Sequence, residues 1–240
     1  MGQIHTEKNL LKSRTVNRTP ASRSDLAYQI LKERLLSGTL PSGSALSTYS
    51  LAKELGISRT PITQALKRLE DEGLVEIIPQ VGCRVAQPTP VEVIEVFMLR
   101  AVLEGLAAEI TAQRITETDI RELERLLQKG EAAIQRNDSG AYSLINKRFH
   151  MLIVNACGMV KLEELLDRFR DLARYCMANV PFFSQERMSL SSQEHHNIVE
   201  ALKARDSQKA RHLLEQHLRQ TGEAFSAFLT EISPRLSKNK

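Results

Sequence analysis

The sequence predicts a mostly α-helical chain in two parts: three short helices closed by a two-stranded ribbon, then an antiparallel all-α helical bundle. Three observations predict this. Only 5% of residues are aromatic and Trp is absent, while Leu, Ala, Glu, Arg and Lys are plentiful, a balance that favours helices over a sandwich or barrel. Apolar residues recur at helical spacing along most of the chain, and short β-like runs interrupt them once, before residue 90. The length of 240 residues, at about 150 per domain, suits two units.

Residues 1–22, rich in Lys, Arg, Asn, Ser and Thr, carry no sustained period and read as a mobile basic arm. A first helix starts near Ser24, with Asp25 in its first turn, Ala27, Ile30, Leu31 and Leu35 on one face, and Gly38 as its stop. Thr39 to Gly43 is a turn. Ser47 can cap a second helix that buries Leu51 and Leu55 and ends at Gly56. Ser58 can cap a third, with Pro61 near its start, Ile62, Ala65, Leu66 and Leu69 as the buried stripe, and Gly73 as its close. Leu74 to Ile78 and Cys83 to Ala86 then read as strands joined by a tight turn over Pro79 to Gly82. Residues 87–90 (Gln-Pro-Thr-Pro) form a linker. Helices follow near 90–113, 117–136, 139–157, 160–180, 187–204 and 207–231, with stops at Gly158, Pro181 and Asp206. The domains are thus 23–86 and 91–232, with 233–240 as a tail.

Charge is divided unevenly. Residues 1–90 hold 12 Lys and Arg against 8 Asp and Glu, and residues 91–240 hold 21 against 21, so the net +4 belongs to the first part and points to an anionic partner there. Cys83, Cys157 and Cys176 have no metal-ligand spacing and are too few for a secreted disulfide scaffold. The first residues lack the apolar core of a secretory signal, and the longest apolar run, Met151 to Val160, is interrupted by Asn155 and Gly158 and is far too short for a membrane span. A soluble, cytoplasmic protein with no membrane partner is expected.

Three helices and a ribbon over 23–86, with Gly56-Ile57-Ser58 as the connection between the second and third helices, make a winged helix-turn-helix. Its third helix is the one that enters the major groove of double-stranded DNA. The candidate contacts are Ser58, Arg59, Thr60, Thr63, Gln64 and Lys67 on that helix, Ser47 at the start of the second, and Gly82 at the ribbon tip, where the backbone can come close to a phosphate. Arg59 can fork to guanine or to phosphate. The segment from Leu51 to Val75, LAKELGISRTPITQALKRLEDEGLV, resembles the GntR family of bacterial transcription regulators, as does the preceding turn from Ser37 to Gly43. The resemblance implies a homodimer on a near-palindromic operator. Thr63 departs from the family, which has a base-reading Arg there, and Thr48 and Tyr49 stand near positions where it tends to carry Glu and Arg.

In the helical part, His150 follows Asn146 by four residues, which puts both on one helix face. His195 and His217 fall on the last two helices, which can bring them together across the bundle. One amide oxygen and three imidazoles suit a divalent ion such as Zn, Ni or Mn; scattered helix histidines without a metal are the alternative. Arg100 is either a pocket residue or the surface partner of Glu104 at i+4. Arg148 and Arg174 are further candidate anion contacts, whereas Tyr142 and Phe149 read as core. Arg100 to Glu104, Asn146 to His150, Glu194-His195 and His217-Leu218 resemble the FCD ligand-binding domain of the FadR-type branch of these regulators. That resemblance implies a metal held by an Asp and three His, here Asn146, His150, His195 and His217, a small carboxylate effector that completes its coordination, and Arg100 as a contact to the acid. Asn146 stands where the family has Asp and brings one negative charge fewer.

The function expected is a ligand-responsive DNA-binding regulator, a repressor released by a small organic acid. An architectural DNA binder whose helical half only dimerises is the alternative. A metal-dependent hydrolase is remote: no HExxH motif, Gly-rich phosphate loop or oriented Ser-His pair is present, so no enzyme is expected.

Overall fold

The computed structural model describes residues 22–178 and 182–236. The arm expected over residues 1–22 lies, apart from Ser22, outside the described residues, as do Pro181, the end of the helix expected to reach residue 180, and residues 237–240 of the tail. Among the described residues are nine helices and one three-stranded sheet.

The first three helices are α1 (Arg23–Leu36), α2 (Thr48–Leu55) and α3 (Arg59–Asp71). Ser22, rather than a residue inside the helix, begins α1: its hydroxyl accepts from Asp25 N while the Asp25 carboxylate accepts from Ser22 N, a reciprocal cap. Ser47 caps α2 by accepting from Ser50 N, and Gly56 ends that helix in the left-handed conformation at φ 67°. Ser58 stands at the N-cap of α3 but makes no side-chain cap, which departs from expectation and leaves its hydroxyl uncommitted. Ala27, Leu31, Leu35, Ile62, Ala65, Leu66 and Leu69 close on one core with Leu74, Val75 and Val85.

The ribbon gains a strand the sequence did not reveal. β1 (Ala45–Leu46) pairs antiparallel with β3 (Gly82–Val85), which pairs antiparallel with β2 (Val75–Ile78), giving the order β1-β3-β2. Two residues are too few to show alternation, so β1 has no periodic signature. Thr89 caps the next helix with Glu92 as its reciprocal partner, and Pro90 is already its first residue, one position inside the expected linker.

The bundle comprises α4 (Pro90–Arg114), α5 (Glu117–Gln135), α6 (Ser139–Ala156), α7 (Val160–Ala178), α8 (Gln185–Lys203) and α9 (Ser207–Leu236). The last runs five residues beyond the expected 231. α4 and α9 pack backbone to side chain. A Cβ on Gly222 would lie 2.5 Å from Phe97 Cβ, and one on Gly105 would lie 2.4 Å from Glu215 Cγ, so both positions need a residue without a side chain.

α7 serves both cores. Its Tyr175 is buried among the residues of the first core, and its Leu172 packs against both. The Tyr175 hydroxyl donates to Ala86 O, and Ser42 Oγ lies 2.9 Å from the same hydroxyl. Lys32 on α1 bridges Glu72 at 2.7 Å and Asp171 of α7 at 2.8 Å, and Arg168 donates to Asp71 O at 2.8 Å. Burial works against the Lys32 charge, but hydrogen bonds to Asp171 and Glu72 outweigh it and raise its pKa.

Candidate functional site

The candidate functional residues fall in two places: an open surface on α3 and a closed cluster inside the bundle. On α3 the buried stripe leaves Arg59, Thr60, Thr63, Gln64 and Lys67 exposed on the opposite side, with Ser58 exposed at its start. Ser47 is exposed nearby with its oxygen engaged in the α2 cap. Thr63 Oγ1 donates to Arg59 O at 3.1 Å, which commits its proton and leaves an acceptor outward. Among the described residues Arg59, Lys53 and Lys67 make no ion pair, whereas Arg68 is held by Asp25 at 2.7 Å and Arg34 by Glu54 at 2.8 Å. Tyr49, 67% exposed, and Lys53 line the same notch as Ser58 and Arg59. Sequence reading passed Lys53 over, although it follows Tyr49 at i+4 on the exposed side of α2. Gly82 at the ribbon tip has φ 137° and no atom within 4 Å of where a Cβ would stand, next to the exposed Val81.

Inside the bundle, four helices bring His150, His195, His217 and Asn146 together with Arg100 around neighbouring cavities that share lining residues. The three histidines are buried, and each can offer a ring nitrogen such that all lie within 4.8 Å of one another. His195 Nε2 and His217 Nε2 are 3.3 Å apart. Two carboxylates fix the rings from behind: Glu104 Oε2 accepts from His150 Nδ1 at 2.8 Å, and Glu194 Oε2 accepts from His217 Nδ1 at 2.6 Å. These bonds assign the proton to Nδ1 in both rings and leave both Nε2 lone pairs facing inward. His195 stacks on Phe149 at a ring separation of 4.1 Å.

Charge follows from burial. Desolvation pushes the His150 pKa down to about 4 against the pull of Glu104, and it lowers His195 well below its ordinary value, helped by His217 and His150. Neutral rings are the state that donates lone pairs. Burial alone would raise the Glu104 carboxyl, but Arg100, His150 and Arg170 outweigh it and hold it well below the usual carboxylate range. Arg100 is 9% exposed and meets Glu104 Oε1 through Nε at 3.0 Å and Nη2 at 2.9 Å. The i+4 pair therefore exists, but it is buried beside the cavity rather than on a helix surface.

The residues fit a divalent cation. Asn146 Oδ1 is buried without a hydrogen-bond partner among the described residues, and Asn146 lines the cavities of His150, His195 and His217. An orphaned acceptor beside inward lone pairs is a donor set without its acceptor. Arg174 lines the larger cavity, while Arg148 is exposed and lines none of these cavities; His196 and His212 are exposed, and His196 pairs with Glu131. Sequence reading missed Arg170, and it did not see that Glu104 and Glu194 hold histidines. Only the adjacency of Glu194 to His195 offered a signal.

Comparison with known proteins matches both parts of the chain. Residues 23–85 match the model of bacterial regulatory proteins of the gntR family, and residues 95–220 match the FCD domain. The chain is 28% identical over 205 residues to the uncharacterized HTH-type transcriptional regulator YdhC of Bacillus subtilis, covering 85% of this chain and 91% of that one. It is also 28% identical to the HTH-type transcriptional repressor GlaR of Escherichia coli, covering 80% and 90%. The solved structure of E. coli McbR/YncC superposes with a TM-score of 0.70 at 26% identity, covering 83% and 94%. No helix among the described residues is long and apolar enough to cross a membrane. With a GntR module in front and an FCD domain spanning most of the rest, the chain belongs to the GntR family of bacterial transcription regulators, DNA-binding proteins and not enzymes.

Proposed function

We propose that this regulator is a repressor that works as a homodimer on a near-palindromic operator and leaves it when a small carboxylate occupies the bundle. Two copies of α3 lie in successive major grooves, with Ser47, Ser58, Arg59, Thr60, Thr63, Gln64, Lys67 and Gly82 as contacts. Thr63 cannot fork to a base, so Arg59 carries the bidentate reading. The units are 23–86 for DNA and 91–232 for effector and dimer, joined through 87–90.

Asn146, His150, His195 and His217 hold a divalent ion of the Zn, Ni or Mn class, which when bound supplies a Lewis-acid anchor for the effector carboxylate. Glu104 and Glu194 orient the rings, and Arg100 pairs with the acid. One observation carries this reading: three buried imidazoles, two of them held by carboxylates that aim their lone pairs inward, beside an unsatisfied Asn146 oxygen. The cavity that reaches His150, Asn146 and Arg100, about 380 Å³, is also lined by Leu36 and Ser37 at the end of α1, so its contents touch the DNA-binding unit. Release requires the effector to prefer one arrangement of the two units.

Elemental analysis of protein purified without chelator checks the metal, with close to one ion per chain expected. A gel shift on the chain's own upstream region, titrated with organic acids, checks the release. Absence of both metal and acid response would leave the architectural dimer as the reading.

A further inference from the structure

Arg170 acts on the site described above only as a charge near Glu104, yet it is 8% exposed and lines the same cavity as Arg100, His150 and Asn146. Its Nε and Nη1 have no hydrogen-bond partner among the described residues. Nε stays 3.7 Å from Glu104 Oε1, which Arg100 already occupies in two bonds. Nη1 stays 3.5 Å from Asp167, which is 61% exposed and screened by water, and only Nη2 has a bond, 3.3 Å to His150 O. Two buried guanidinium groups therefore share one buried carboxylate. Arg174 and Lys147 line the same cavity and add positive charge nearer to solvent. A buried cation without a full partner is costly, and a cavity wall is where a ligand can complete it.

We propose that this cavity has a second anion subsite, formed by Arg170 with Arg174 and Lys147, and that the effector is a dianion: one carboxylate at the histidine end and a second carboxylate or phosphate on these cations. The inference rests on the carboxylate reading given above and names its ligand class. It also bears on regulation. Arg174 Nη2 holds Glu33 of α1 at 3.1 Å, so an anion seated at Arg174 competes with a tie between the two units. Monoanions leave that tie alone.

The test is calorimetric titration of the full-length, metal-loaded protein with butyrate, the dicarboxylate series from malonate to adipate, and 3-phosphonopropionate. At least one dianion is expected to bind about tenfold or more tightly than butyrate. The 3-phosphonopropionate arm shows whether a carboxylate or a phosphate suits the outer seat. In Arg170→Gln the dianion advantage falls to about twofold or less while butyrate affinity holds. Arg174→Gln, at a part-exposed position, lowers the same advantage without threatening the fold. Equal affinity of butyrate and every dianion overturns the second subsite and leaves the carboxylate reading standing. Dianion preference unchanged in both variants overturns it too. If no acid binds at all, the underlying carboxylate reading has failed with it.

Discussion

Arginine does opposite jobs in the two halves of this molecule. On α3, Arg59 is exposed and free of ion pairs among the described residues, and its charge is available to whatever docks. In the bundle, Arg100 is buried and turned on a carboxylate, its charge spent on holding Glu104 and, through it, His150, while Arg170, also buried, comes no nearer than 3.7 Å to the same carboxylate. The solvated surface keeps its cations cheaply because water screens them, so it can present several without partners. The interior cannot, and each polar group there is either bonded or waiting for a ligand. The exposed face of α3 therefore tolerates substitution as far as the fold is concerned, and the buried cluster does not.

Removing Glu104 breaks this contrast most severely. Glu104→Ala strands two buried guanidinium groups and releases His150, and a loss of about 3–5 kcal/mol is expected in urea unfolding. A loss under about 1 kcal/mol would show that the cluster is solvated after all. Arg59→Ala probes the other half: specific DNA binding falls tenfold or more, roughly 1–3 kcal/mol, while the melting temperature stays put. Affinity within about twofold of the parent in a gel shift would reject Arg59 as the reading residue.

Glu194→Gln sharpens the sensor side. It keeps the shape but weakens the hold on His217 Nδ1, and metal affinity measured by competition with a chromophoric chelator drops about 10–100-fold. Gly222→Ala tests packing rather than charge. The new methyl meets Phe97 Cβ, a core atom that cannot swing away, and about 1–3 kcal/mol of stability is lost. The smallest effect belongs to the contact between the halves. Tyr175→Phe deletes the bond to Ala86 O and the link to Ser42, with about 1 kcal/mol expected in unfolding. Its more telling readout is a change in the acid concentration needed for DNA release.

Much of this was legible before any coordinates. The stripe Ile62, Ala65, Leu66 and Leu69 put α3 in place and left its outer face to be read off by elimination, because a helix has only two sides to distribute. The histidines were legible only as residues on separate helices. Their meeting depended on which helices pack together, and Arg170, twenty positions from His150, gave no periodic hint at all. Glu104 was visible as a neighbour of Arg100, but spacing alone assigns such a pair to the surface, worth a few tenths of a kcal/mol at about four residues' separation. Burial changes its meaning from a minor surface contact to the brace of the site.

The sequence by itself determined the helices, their order, the basic front and neutral rear, and the kinship of both parts, because these depend on local periodicity, on capping residues such as Ser47 and Thr89, and on ordered runs of residues. Only the tertiary structure decided that Glu104 and Glu194 stand behind two histidines, that Asn146 keeps an unsatisfied oxygen, and that α7 touches both the DNA-binding core and the cavity. Those relations join residues far apart in the chain, and burial, which sets the value of every charge among them, exists only once the helices have packed.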